Sequence, residues 1–471
     1  MNVSVFDMTT MQHLWSTPEV REIFSERNRL QKWLDFEAAL ALTQAELGVV
    51  PKAAAEEIAA AADIDRIDLQ AVAAEVRRIK HTLVPLLKGM QAGLSRDAVE
   101  YLHYGATTQD VVDTGLVLQL REFDRVVRRD LGAVGRQLIR LAEEHRDTVM
   151  VGRTHGVQAL PITFGHKCAI WLDELSRHAE RLDQAGPRVF VIMLVGAVGT
   201  QASYGPRAAE IEAGTAKRLG LGASDISWAP SRDRIAEYVT LLAMIAGTLG
   251  KIGNELFNLQ RNEFAEVEEG FTEGKLGSST MPHKRNPVAA ENVAMLSRSV
   301  RYSAAMMLEA MVQEHERDGI AWKSEWKAVP EACLVTGAIL MQAEALLKGL
   351  RIDRKAMDRN VALMKGYLLS EKVMLELGER VGKNTAHEWL YEASMQGIQK
   401  GTSFGDALAA HPHIADAFTA EEIDQLTEPS GYLGTVGEAI DRVVAREKDA
   451  AWLADAGAGP QASSPPVRRT A

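Results

Sequence analysis

Apolar side chains between positions 232 and 270 recur three and four residues apart, through Ile235, Tyr238, Leu242, Ile245, Leu249, Ile252, Leu256 and Leu259. No proline interrupts positions 231–280. This spacing keeps one stripe of an α-helix turned toward a partner, so it predicts a long helix in a bundle. A helix of about 35 residues would reach roughly 50 Å at 1.5 Å per residue. Gly247, Gly250 and Gly253 lie inside the run. Each glycine costs up to about 1 kcal/mol in an exposed helix, and close helix–helix approach is the expected reason for them.

A second seam passes through Leu116, Leu120, Phe123, Val127, Leu131, Val134, Leu138 and Leu141, and shorter ones are readable over 31–47 and 330–350. Period-two strand patterns are scarce. The fold expected is all-α, with very long antiparallel helices at its centre. Three helical domains are expected: a mixed start over 1–110, the long bundle over 111–354, and shorter helices over 355–450. The last zone is broken at Gly366, Gly382, Gly401 and Pro412. A tail over 451–471 has no periodic apolar face and is expected to be disordered. The seams suit packing within one chain as well as between copies.

Apolar residues make up 46% of the chain and charged residues 25%, the balance of a soluble globular protein. The net charge of −11 argues against a nucleic-acid partner, which usually requires a basic face. The two cysteines, Cys168 and Cys333, form neither a disulfide framework nor a metal-ligand spacing. No metal, nucleotide-binding glycine loop, signal peptide or membrane span is expected, and the natural location is the cytoplasm.

The strongest local signal is Gly277-Ser278-Ser279-Thr280-Met281-Pro282-His283-Lys284-Arg285-Asn286-Pro287. Small residues and two prolines force a loop here. Its hydroxyls, lysine and asparagine can hold a carboxylate, or the enediolate that forms when a proton leaves the neighbouring carbon. The same composition also occurs on ordinary surfaces. The order Gly-Ser-Ser-x-Met-Pro-x-Lys-x-Asn-Pro, however, resembles the signature of the fumarase/aspartase superfamily at every fixed position. His103-Tyr104-Gly105-Ala106-Thr107-Thr108-Gln109-Asp110 and Gly152-Arg153-Thr154-His155-Gly156-Val157-Gln158-Ala159-Leu160-Pro161 are similar to its first and second substrate-binding regions. The likeness covers nearly the whole chain.

The resemblance implies metal-free, cofactor-free elimination from a small dicarboxylate, in a homotetramer that draws the three regions from different subunits. Ser278 is similar to the serine that removes the proton beside the substrate carboxylate; Lys284 and Asn286 then hold the enediolate, with Ser279 in the same loop. Thr107 and Thr108 match a carboxylate-binding pair. His155 matches the acid that protonates the leaving nitrogen in adenylosuccinate lyases, and Glu291 stands where those enzymes keep its carboxylate partner. His81 and His103 match two more site histidines, although each also reads as a helix cap or a satisfied core histidine. Arg317 falls at the site rim, and Arg301 is a weaker candidate for a second carboxylate. His283 and Arg285 read as structural.

Departures narrow the substrate. Adenylosuccinate lyases carry an Arg-Tyr pair where this chain has Leu14-Trp15-Ser16-Thr17. They carry a phosphate-binding Ser-Ser and arginine where it has Trp322-Lys323-Ser324-Glu325-Trp326. Lysine does not reproduce the bidentate fork of arginine on phosphate. This second stretch looks like 3-carboxy-cis,cis-muconate cycloisomerases, which generally lack the histidine found at His155. The reading is a lyase that releases fumarate from a succinate bearing an amine, ammonia or nitrite. A carboxymuconate cycloisomerase is the alternative, and a silent structural bundle the third.

Overall fold

The computed structural model describes residues 3–270, 280, 281 and 283–454. Helices hold 69% of the chain and strands 4%, so the protein is all-α. Helix α1 (Glu26–Glu46) lies against α2 (Thr108–Glu144). A hairpin of β1 (Val149–Thr154) and β2 (Val157–Thr163) then leads into α3 (Phe164–Val189). The bundle is completed by α4 (Asp233–Leu259), α5 (Val288–Glu309) and α6 (Gly319–Lys348). A two-residue pairing of β3 (Val267–Glu268) with β4 (Arg351–Ile352) ties the segments that follow α4 and α6.

The seams are the core. Ile235, Leu242, Ile245, Leu249 and Leu256 of α4 and Leu120, Phe123, Val127, Val134 and Leu138 of α2 are fully buried. Burying a side chain of this kind contributes about 1.5–3 kcal/mol relative to leaving it in water. Helices α4 and α5 run antiparallel at close range. A Cβ on Gly250 would strike the Ser297 side chain, and one on Gly253 would come within 3.0 Å of the Ala290 carbonyl oxygen. Gly247 is the exception to the expected reason for these glycines, since a Cβ there meets nothing within 4 Å.

Two expectations about the helices need correction. The helix expected to continue toward position 270 stops after 27 residues at Leu259. Gln260, Arg261, Asn262 and Glu263 offer no apolar side chain to extend the seam, and Ala265 takes a positive φ of 51°. Helix α6 begins at Gly319, upstream of the seam that starts at Pro330, and carries that proline in its interior. By length and composition alone, α4 and α6 are apolar enough to cross a membrane. Yet 72% and 61% of their most apolar windows are buried inside the fold, as in the core helices of a bundle.

Past β4, Val373, Leu377, Phe404, Leu408 and Ile414 form a separate small core, whereas Ile440 and Val444 of the helix Val436–Glu447 return to the main one. The tail expected from position 451 opens with a short 3₁₀ turn, Ala451–Leu453, that packs on α2 and buries Leu453. Residues 455–471 of that tail lie outside the described residues. Ile170, Met244, Tyr302, Leu308 and Met341 leave large apolar side chains exposed on α3 to α6.

Candidate active site

The expected site residues fall into groups at opposite ends of the bundle. At the N-terminal end of α2 the chain makes a tight turn through residues 103–107. His103 has a positive φ of 61° and Gly105 one of 82°. Outside contacts hold this turn: Gln44 Nε2 donates to the Tyr104 carbonyl at 2.9 Å, and Ser203 Oγ to that of Gly105 at 2.6 Å. The Asp110 carboxylate accepts the Thr107 N–H at 3.1 Å, the Val195 N–H at 2.9 Å and the Tyr204 hydroxyl at 3.0 Å. Burial pushes the Asp110 carboxyl up despite these donors, which favour its charged form.

Around the turn stand the polar groups a carboxylate requires. The Val84 N–H donates to His81 Nδ1 at 3.1 Å, so the ring proton belongs on Nε2, 3.3 Å from Thr108 Oγ1. His81 thus accepts the first amide of the helix Val84–Gln91 and contacts the Thr108 hydroxyl. With its oxygen engaged by His81, Thr108 keeps its own O–H to donate. Arg317 donates to Thr107 Oγ1 and Gln109 Oε1, each at 2.9 Å, and faces no paired carboxylate among the described residues. His103 Nδ1 lies 2.6 Å from Glu37 Oε1.

Beneath this group is a buried ion cluster. Arg232 donates to Glu325 through Nε at 2.7 Å and Nη2 at 2.5 Å, and to Asp113 through Nη1 at 2.8 Å. Trp322 Nε1 donates to Asp113 at 2.7 Å, and Gln109 Nε2 to the same carboxylate at 3.1 Å. Burial disfavours the Arg232 charge, but the two carboxylates overcome it and hold the guanidinium ionised. Burial pushes the Glu325 carboxyl up. Glu325, Trp322 and Asp113 thus support the floor that carries Gln109, Arg317 and Thr107.

The other group lies where α2 ends. Lys284, Asn286 and Glu291 line a groove of about 1490 Å³ with Arg140, Glu144, Arg261, Arg351 and Arg354. Lys284 and Glu291 are exposed. Arg285 Nη1 donates to Glu268 at 2.6 Å beside the β3–β4 pairing. Ser278 and Ser279 lie outside the described residues. Arg301 sits midway along α5, donating to Ser297 Oγ at 3.2 Å, and joins neither group.

His155 occupies the β1–β2 turn, where it and Gly156 have positive φ values of 54° and 79°, the two-residue turn that suits a twisted hairpin. The ring is exposed. Its hairpin is anchored by Arg153, which pairs with the fully buried Glu266 at 2.9 and 2.7 Å and lies over the Phe264 ring. Asn360 Nδ2 donates to the same carboxylate at 2.8 Å. Among the described residues of one chain, no hydrogen bond or ion pair joins His155 to Glu291.

Distance separates the groups. Thr108 opens α2 and Arg140, on the groove wall, lies 32 residues along it, a span of about 48 Å at 1.5 Å per residue. One chain therefore cannot place Thr107, Thr108, His81, His103 and Arg317 around a small dicarboxylate held by Lys284 and Asn286.

Glu37, Asp113 and Arg232 were not singled out from the sequence, and Gln109 and Glu325 entered only as members of quoted motifs. Glu37 carried a signal: it lies three residues from both Leu34 and Leu40, on a face of α1 that is mostly apolar.

Residues 13–301 match a lyase family, and residues 366–443 match the adenylosuccinate lyase C-terminus. The chain is 46% identical to an N-acetyl-S-(2-succino)cysteine lyase of Dickeya dadantii, over 93% of its own length and 97% of that protein's. It is 38% identical to an adenylosuccinate lyase of Methanocaldococcus jannaschii, over 92% and 95% of the two lengths. Its fold superposes on the 3-carboxy-cis,cis-muconate lactonizing enzyme of Pseudomonas putida with a TM-score of 0.87 and 36% identity, covering 92% of this chain and 98% of the other. With the all-α bundle and both threonine- and lysine-bearing regions in place, these matches make the chain a lyase of the fumarase/aspartase superfamily.

Proposed function

We propose that the protein cleaves a 2-succinyl thioether, releasing fumarate and a thiol, in sites shared between the subunits of a homotetramer. The observation that carries the choice of leaving group is the use made of Trp322, Glu325 and Trp326. Glu325 and Trp322 are committed to the buried Arg232–Asp113 cluster, and the Trp326 ring lies 5.4 Å from the Arg29 guanidinium. None is available to bind a nucleotide phosphate, which favours a departing group smaller than a nucleotide. The 46% identity to an enzyme acting on a succinylated cysteine points to sulfur.

In this reading, Ser278 takes the proton from the carbon beside one carboxylate, and Lys284 and Asn286 hold the enediolate. The C–S bond then breaks as the C=C bond forms, and His155 gives its proton to the departing sulfur. Thr107, Thr108 and Arg317 of another subunit hold the second carboxylate. Glu291 of a neighbouring chain orients the His155 ring.

A nitrogen leaving group, expected from the sequence, is the second reading, favoured by the retained His155 and the 38% identity to an adenylosuccinate lyase. A thiol is more acidic than an ammonium ion by about 2 pK units, so sulfur needs less help to leave. Purified protein should raise fumarate absorbance with N-acetyl-S-(2-succino)cysteine at a kcat/KM at least about tenfold above that with N-(1,2-dicarboxyethyl) amino acids, a margin of about 1.4 kcal/mol. The reverse order would establish nitrogen. Loss of carboxymuconate absorbance with lactone formation, and no fumarate from either series, would establish the cycloisomerase.

A further inference from the structure

Glu37 is a carboxylate almost entirely inside the protein, 1% exposed, on the buried face of α1. Its Oε1 lies 2.6 Å from His103 Nδ1, and its Oε2 is buried with no hydrogen-bond partner among the described residues. A buried carboxylate with one partner concentrates its field on that partner. The His103 side chain is 22% exposed, and its Nε2 makes no hydrogen bond among the described residues. It stands four residues before Thr107 in the turn held by Gln44, Ser203 and Asp110. The pair therefore has a buried acid at one end and an unengaged ring nitrogen at the other.

We infer that Glu37 is a positioning residue: it fixes His103 as an imidazolium and presents the Nε2–H to a substrate carboxylate beside Thr107, Thr108 and Arg317. The inference rests on the elimination reading above and adds to it a cation with a defined source. The charged groups facing the ring are Glu37 from α1 and Asp110 from α2; the Tyr204 phenol is spent on Asp110. Burial opposes the ring's charge, but the Glu37 field and hydrogen bond, helped by Asp110, overcome it and raise the histidine above its ordinary value. Substrate affinity supported by this charge is present at low pH and lost as pH rises through the raised value.

Glu37→Gln keeps the shape and removes the charge. At neutral pH it should raise KM about tenfold, the scale of one hydrogen bond to a charged group, with kcat within about threefold. It should also move the alkaline rise of KM to lower pH, and Glu37→Asp should restore part of the shift. In a His103→Gln background, Glu37→Gln should add nothing. An unchanged pH profile of KM, or equal effects of Glu37→Gln with and without His103, would overturn the proposal. Should Glu37→Gln not fold, His103→Gln must by itself abolish the alkaline rise, and persistence of that rise refutes the role. Titration of ¹³C-labelled histidines in the full-length protein, with His103 assigned by its loss in His103→Gln, separates the two readings. A His103 that titrates at its ordinary value sinks the positioning role whatever the substrate, whereas failure to release fumarate from any succinyl substrate sinks the elimination reading alone.

Discussion

Ser278→Ala should lower kcat for the succinyl substrate by roughly 10²–10⁴-fold, the usual scale for losing a general base, and leave KM within a few-fold. A serine hydroxyl is a poor base in water and becomes one only in a strongly positive, water-poor setting. In the proposed mechanism Lys284, six residues on in sequence, supplies the positive charge. It stands on a groove lined by Arg140, Arg261, Arg351 and Arg354 and also by Glu144, Glu268 and Glu291. Helix α5 begins at Val288, so its N-terminal amides add a favourable dipole next to the loop. A steady-state comparison of the alanine and wild-type proteins at several pH values checks this, and a loss below about tenfold would remove Ser278 from the chemistry.

Arg232→Met should destabilise the folded protein by about 3–5 kcal/mol, the cost of stripping the partner from a buried charge. Asp113 and Glu325 are both fully buried and share this one guanidinium. Without it, two carboxylates face each other with only Trp322 and Gln109 as donors to Asp113. Denaturant unfolding at fixed protein concentration measures the change, because any self-association would make stability depend on concentration. Adding Asp113→Asn and Glu325→Gln should recover most of the loss, because the neutral side chains no longer need a cation. A loss under about 1 kcal/mol for Arg232→Met would mean that water or protons already compensate the pair.

The long helices were legible because their signal repeats. The seam positions from Ile235 to Leu259 support one another, and every one of them is buried, Leu259 the most exposed at only 2%. What ends a helix is local, which is why α4 stops at Leu259 while the absence of proline suggested a longer run. The hairpin bearing His155 was illegible for a related reason. Gly152 bends β1, Pro161 sits in β2, and the register slips between Val151 and Arg153, so the alternation of a strand is broken. Pro330 shows the converse, a helix breaker accommodated inside α6.

For the candidate site, the loop and threonine motifs marked the residues proposed for the chemistry but not their supports. Arg232, Glu325 and Asp113 lie far apart in sequence, and nothing local in each marks the pairing that the bundle creates. Glu37 differs, since a charge at an apolar seam position demands a partner, and His103 is that partner. The separation of the two groups by the length of α2 was also legible, from the distance between the motifs and the length of the seam.

The proposed reading of that separation is a site built from several copies, and subunit complementation tests it most directly. Arg317→Met and Ser278→Ala proteins, each nearly inactive alone, are dissociated together in equal amounts and reassembled. In random hybrid tetramers about a quarter of the sites pair an intact Arg317 with an intact Ser278 from different chains, so about a quarter of wild-type activity should return. Reassembly into mixed tetramers with no activity above that of the separate variants would show that both groups act from the same chain, contradicting a shared site.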